Sequence, residues 1–177
     1  VNIKFTKIFK SGLIILEKYL AYFFIYGLLG WLIDSMHDSF ASGQIIFGGM
    51  FKSFLLPIPF APIYGFGALL VISMRKFLWH KNSVLLAFFV GLILTAVEYL
   101  GGVVTVTVLG HRAWDYSNRF ANLHGHIDLY HGILWMILGW GFVKYIHPAV
   151  EKFVNKLLAK IHSAEKRAVI DKKIAIR

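Results

Sequence analysis

The sequence predicts an all-α protein: a polytopic membrane bundle of about four transmembrane helices, with a re-entrant or interfacial segment and a C-terminal amphipathic helix. Three observations predict it. First, 58% of the 177 residues are hydrophobic and 16% charged, and mean hydropathy is +0.65, which is more apolar area than a soluble domain this size can hide. Second, apolar windows recur at close to the ~20 residues that cross a bilayer. Third, three of the four prolines crowd the segment between the first two windows.

The windows are roughly Tyr19–Met36, Pro62–Trp79, Val84–Leu109 and Leu129–Ile146. Lys4, Lys7 and Lys10 precede the first, but its apolar run is long and lacks a small-residue cleavage pattern. The expectation is an uncleaved first span. Between the first two windows, Ile45–Leu56 is too short to cross and runs into Pro57, Pro59 and Pro62. Proline removes a backbone donor, and irregular backbone at membrane depth survives only where protein or a wet cavity satisfies it. A re-entrant hairpin and an amphipathic loop at the headgroups both fit. Beyond His147 and Pro148 the pattern changes. Val150, Phe153, Val154, Leu157, Leu158 and Ile161 share one helical face, with Lys152, Lys156 and Lys160 beside it. Such a helix lies on an anionic leaflet, each lysine contributing about 1 kcal/mol, or docks a partner's cytoplasmic domain. The division is a membrane bundle over 1–147 and a cytoplasmic basic tail over 148–177.

Net charge is +10, yet the basic residues sit at the chain ends and in one tight loop rather than in a stripe with interleaved aromatics. Nucleic acid is therefore not an expected partner; the bilayer is. The same residues set orientation. With both termini in the cytoplasm, Lys52, Arg112 and Arg119 are the three basic loop residues outside, against at least fifteen inside. The chain has no cysteine, so thiol catalysis, disulfides and zinc–thiolate sites are excluded.

Polar chemistry is concentrated in RAWDYSNRFANLHGHIDLYH, residues 112–131, which this topology places on the outer side between the third and fourth windows. Two carboxylates inside the spans can join it. Asp34 shares a helical stripe with Gly27, Gly30 and His37. Glu98 shares one with Gly91, Thr95, Gly102 and Thr105. A carboxylate facing lipid costs several kcal/mol, so Glu98 is expected to face the bundle interior. Asp34, Glu98 and Asp115 are expected to converge on one outer-half cavity. Each has a plainer reading as well: Glu98 as a packing partner between helices, Asp34 as a helix-end residue, and Asp115 as the centre of a salt-bridge cluster with Arg112 and Arg119.

The motifs GWLID (30–34), PIYGFGA (62–68), VEYLGG (97–102), WDYS (114–117) and the pattern of Asn122, Gly125 and Ile127 resemble the bacterial ABC-transporter type IV, or CmpB-like, permeases. The resemblance runs from about residue 20 to 146. It implies a bacterial inner-membrane protein, with Asp34 standing where the family usually has Glu, and with Glu98, Trp114, Asp115, Tyr116 and Ser117 matching directly. The family's Asn-Arg-Gly stretch is replaced here by FGGMFKS, where Lys52 is the substitute basic residue.

His124, His126, Asp128 and His131 have an order that suits zinc or iron, but the metallohydrolase boxes with that spacing belong to soluble α/β folds. A metal is not favoured: Asp128 is a better helix N-cap for LYHGILWM. Ser117 lacks an elbow motif, and GFGALL fails the phosphate-loop glycine pattern. No cofactor is expected, and an enzyme is the less favoured class. The leading function is transport or membrane-component handling through a polar cavity, with Asp34, Glu98, Arg112, Trp114, Asp115, Tyr116, Ser117, Arg119 and Asn122 as substrate- or ion-binding candidates. A homo-oligomer or a separate ATPase subunit is implied, since four spans barely enclose a path. The alternatives are a membrane-embedded enzyme on a lipid-linked substrate, with Glu98 or Asp115 as base, and a non-catalytic assembly or sensor subunit.

Overall fold

A computed structural model of the chain describes residues 3–45, 59–78 and 81–175. The architecture is all-α. Helix α1 covers Ile3–Ser42, α2 Pro62–Ser73, α3 Arg75–Leu78, α4 Ser83–Leu109, α5 Leu129–Gly141 and α6 His147–Ala175. A π turn at Phe142–Ile146 joins α5 to α6, so the backbone stays helical from Leu129 to Ala175. Three of these stretches are long and apolar enough to cross a bilayer: Gly12–Phe40, Ser83–Leu109 and Leu129–Ala168. The chain is a membrane protein.

The second expected window is filled by a shorter apolar helix. At 12 residues α2 is ~18 Å long, against a hydrocarbon core of ~30 Å. Proline at its first turn suits a helix start, because the missing N–H is an orphan there anyway. It begins deep: the Ala61 N–H donates to the Gly27 carbonyl at 2.9 Å, and Gly27 lies well inside α1. From there α2 runs antiparallel to α1, with Phe23 against Gly65 and Tyr22 and Tyr26 against Ala68 and Ile72. The short expected segment Ile45–Leu56 and its Lys52 fall outside the described residues, apart from Ile45.

The start of α1 and the end of α6 lie on the same side of the bundle. Helix α6 returns antiparallel along α1, burying Val154 against Tyr19 and Tyr22 and pairing His162 Nε2 with Glu17 Oε2 at 2.8 Å. That pairing explains why α1 is longer than its apolar window, for residues before Tyr19 gain a partner helix. It also splits the tail's apolar face. Val154 and Leu158 pack inward, while Phe153, Leu157 and Ile161 remain exposed. Arg75 ties α3 to α6 through Glu151 Oε1 at 2.9 Å.

Helix α4 packs along α5. Gly91 faces Met136, and Gly139 faces Val90 and Leu94, so small residues on each helix receive the large ones of the other. Helix α4 starts at Asn82, whose side-chain oxygen accepts from the Leu85 N–H at 2.9 Å. Replacing Asn82 with Ala should cost about 1 kcal/mol, read as a lower unfolding midpoint in detergent with the activity per folded molecule unchanged.

Candidate functional site

The loop between α4 and α5 folds back into the bundle instead of lying over it. Its His126 ring is buried against Gly102 of α4, and Trp114 reaches Gly101. Helix α5 therefore starts partway down α4, with Gly132 level with Thr95. The loop stitches itself together. Asn122 donates from Nδ2 to the Ser117 and Arg119 carbonyls at 3.0 and 2.9 Å and accepts from the Gly125 N–H at 3.1 Å. Trp114 Nε1 donates to the His126 carbonyl and Arg112 Nη1 to the His124 carbonyl, both at 2.8 Å. Gly125 is required by both backbone and space. Its φ is +70°, and a Cβ there would sit 2.8 Å from Asp115 Oδ1.

This frame aims one side chain inward. Asp128 caps α5, its Oδ1 accepting from the His131 N–H at 2.8 Å. Its Oδ2 lies 2.9 Å from His131 Nδ1 and 3.6 Å from Arg119 Nε. A carboxylate can only accept, so His131 carries its proton on Nδ1. The His131 ring so held stacks on Tyr116 at 4.1 Å with 11° between planes. Tyr116 then donates its hydroxyl to Glu98 Oε1 at 3.1 Å. Burial, with the Glu98 carboxylate in front of it, raises the Tyr116 phenol well above its usual range, so it remains a donor.

Glu98 is 5% exposed. Its second oxygen accepts from Trp135 Nε1 at 2.8 Å, so both carboxylate oxygens are satisfied by donors that bring no charge. The Trp135 ring meets Tyr64 edge-on at 5.5 Å, and the Tyr64 hydroxyl donates to Asp34 Oδ1. Tyr64, Trp135 and Glu98 thus line part of a cavity of about 360 Å³, whose other walls are Tyr26 and apolar residues of α1, α2, α4, α5 and the π turn, with Asp34 outside the lining, held by Tyr64.

The expected residues divide accordingly. Glu98 reaches the cavity and Tyr116 joins it through its hydrogen bond, while Asp34 is not in the lining and is linked to it only through Tyr64. Asp115 does not converge with them: it lies on the exposed face of the loop and accepts from Ser117 Oγ at 2.5 Å and Ser117 N at 2.9 Å. A short polar side chain on a tight turn satisfies its own neighbours first. Arg112, Trp114, Ser117 and Asn122 likewise build the loop, and Arg119 serves the Asp128 cap. Lys52 lies outside the described residues. The four residues of the histidine-rich stretch have separate partners: His124 the Tyr99 hydroxyl at 2.9 Å, His126 the Gly102 surface, and Asp128 and His131 each other. Among the described residues no group of three or more His, Asp or Glu could hold a metal ion. Tyr64 and Trp135 are the residues that sequence reasoning passed over. The signal for Tyr64 was present in PIYGFGA, whereas Trp135 looks like any aromatic in a span.

The family described as "Putative ABC-transporter type IV" matches residues 21–169. The chain belongs to this family. No curated protein and no solved structure matches it. The type IV match spans every residue of the site, from Asp34 on α1 to Trp135 on α5, and continues along α6.

Loop order should depend on acidity. The two hydrogen bonds from Ser117, with Arg112 beside them, hold the Asp115 carboxyl below its ordinary value. A carboxyl lowered in the folded state contributes order that is full above its unfolded pKa and is lost as pH falls through the lower folded value. Amide exchange at Ser117, corrected for intrinsic rates, should therefore stay slow down to the ordinary carboxylate range and quicken only below it. In Asp115→Ala it should be fast throughout.

Proposed function

We propose that the chain is a transport permease of the bacterial inner membrane, with both termini in the cytoplasm and the cavity beside Glu98 as its binding station. The observation that supports the reading is that Glu98 lines a cavity inside the bundle and is joined through Trp135 and Tyr64 to Asp34, a second buried acid from a helix far away in sequence. An ionisable residue held inside a bundle marks an ion or substrate path. Membership of an ABC-transporter family supports transport and a separate ATPase subunit as the source of energy. The basic residues of the α2–α4 connection and of α6 lie on the side of the chain termini, as the bias towards a cytoplasmic face requires.

Inverted membrane vesicles from cells producing the protein, with ATP supplied, test the reading. Protein-dependent movement of a cationic solute across the vesicle membrane, without its chemical conversion, is the expected result. Conversion of a lipid-linked substrate without movement would replace this reading with an enzymatic one. Stable capture of a partner together with full tolerance to loss of Glu98 would replace it with an assembly role.

A further inference from the structure

We propose that the cavity seats one acyl chain of an anionic phospholipid from the leaflet on the side of α6, with the lipid head held beside Lys156 and Lys160. This goes beyond the transport reading and requires no particular solute. Where the cavity serves as a station, the chain is what a solute displaces.

The walls call for hydrocarbon. Leu29, Val71, Leu94, Leu138 and Phe142 present carbon alone. The polar side chains of the lining are already committed: the Tyr26 hydroxyl to His147, the Tyr64 hydroxyl to Asp34, and both Glu98 oxygens to Tyr116 and Trp135. Water in such a space would find few partners. Left empty, a space of about 360 Å³ would forfeit the dispersion contacts of its walls. A methylene chain restores those contacts at little solvation cost, since it exchanges lipid for walls that are just as apolar.

The bundle opens this space sideways. Helix α1 packs on α2 and α6, and among the described residues its backbone makes no close approach to α5. Side chains close the gap at its two ends. His37 meets His131 with ring centroids 6.1 Å apart on the loop side, and Tyr26 meets Phe142 at 5.0 Å on the other. Between them Leu32, Ile33 and Met36 belong to the lining and are also exposed on the outside of the bundle. Trp135 and Ile146, lining residues near the two ends, lie ~15 Å apart along the helix axis, so the slot runs the way lipid chains do.

Charge decides which way the lipid points. On the loop side the slot stops at Glu98, whose carboxyl offers an anionic head no counter-charge. At the opposite end Ile146 is exposed, and Phe153 and Leu157 continue from it at helical spacing, exposed as well. Lys156 and Lys160 are exposed three residues beyond Phe153 and Leu157, which makes them neighbours of that stripe on the helix surface. Lysines near a membrane surface attract anionic heads. Apolar slot, apolar stripe and lysines thus follow one another in the order of a phospholipid's tail, upper chain and head.

Photolabelling of the full chain in phosphatidylcholine nanodiscs tests this. The probe is phosphatidylglycerol with a diazirine near the end of one acyl chain, and adducts are mapped by peptide. Leu94 and Leu138, inside the slot, should be labelled at least as strongly as Leu100 and Ile137, which face outward and are not in the lining. The same diazirine chain on a phosphatidylcholine head should label the slot about tenfold less at equal mole fraction. Lys156→Gln with Lys160→Gln alters only exposed positions and should erase that preference with the unfolding midpoint unchanged. Leu32→Trp, which narrows the window from an exposed position, should cut slot labelling about tenfold while Leu100 and Ile137 keep theirs. Labelling confined to the outward residues, equal slot labelling by the two heads, a preference that survives the lysine variant, or slot labelling untouched by Leu32→Trp would each overturn the proposal. Inverted vesicles that transport while the slot stays unlabelled would sink this inference alone; a labelled slot in a protein that moves nothing would sink the transport reading alone.

Discussion

Glu98→Gln should insert and fold like the wild type yet move no solute in inverted vesicles. The geometry makes this substitution cleaner than most. The amide oxygen can accept from Trp135 Nε1, and the amide N–H can donate to the Tyr116 hydroxyl, which is able to reverse its role. Only the charge is lost. Glu98→Ala is a different experiment, because it leaves the Trp135 N–H and the Tyr116 O–H buried without partners, at about 1–3 kcal/mol each. That variant should show a lower unfolding midpoint in detergent and poor yield. Wild-type flux in a well-folded Glu98→Gln would mean that the side chain serves helix packing alone, and the transport reading would lose its central residue.

Gly125→Ala should disable the protein from the loop, well outside the cavity. A left-handed backbone costs a residue with a Cβ roughly 1–2 kcal/mol. The added carbon would also press on Arg112 Nη1 and Asp115 Oδ1, at 2.7 and 2.8 Å. Relief requires the loop to open, which removes the Tyr116 N–H from the Gly125 carbonyl and with it the aim of Tyr116 at Glu98. Amide exchange at Tyr116 and Leu123 should accelerate, protease should cut within 112–127, and flux should fall. Gly110→Ala is the control. It has the same sign of φ, at +73°, but open space around it. It should carry the backbone cost alone and keep its flux; matching loss in both variants would show that strain, rather than the loop's grip on Tyr116, is what matters.

How far the sequence could be read follows from which forces act locally. Helix α4 was legible almost to the residue, since uninterrupted apolar composition is a sequence-local signal. Asp128 as the cap of α5 was legible for the same reason. The length of α1 was not, because Glu17 and the residues before it depend on α6, more than a hundred positions later. The unbroken helix through the π turn was missed as well, His147 and Pro148 having suggested an end to the fourth span. Pro148 is tolerated there because the widened turn just before it already breaks the ordinary hydrogen-bond ladder. At the site, burial cost correctly turned Glu98 inward, and the GWLID register placed Asp34 beside α2. The same reasoning wrongly recruited Asp115. Depth in a sequence says nothing of which way a loop residue points, and a turn that folds on itself consumes its own acid.

The inward fold of the α4–α5 loop has an electrical consequence. Where α5 begins partway down α4, polar backbone and side chains occupy depth that hydrocarbon-facing helix would otherwise fill, so the insulating layer beside Glu98 is thinner towards the loop than towards the termini. A voltage applied across the membrane falls mainly over the thicker insulating part, at ~2.3 kcal/mol per elementary charge for each 100 mV. Charge moving between the two carboxylates and the terminal side would therefore cross most of that field, and charge arriving from the loop side comparatively little.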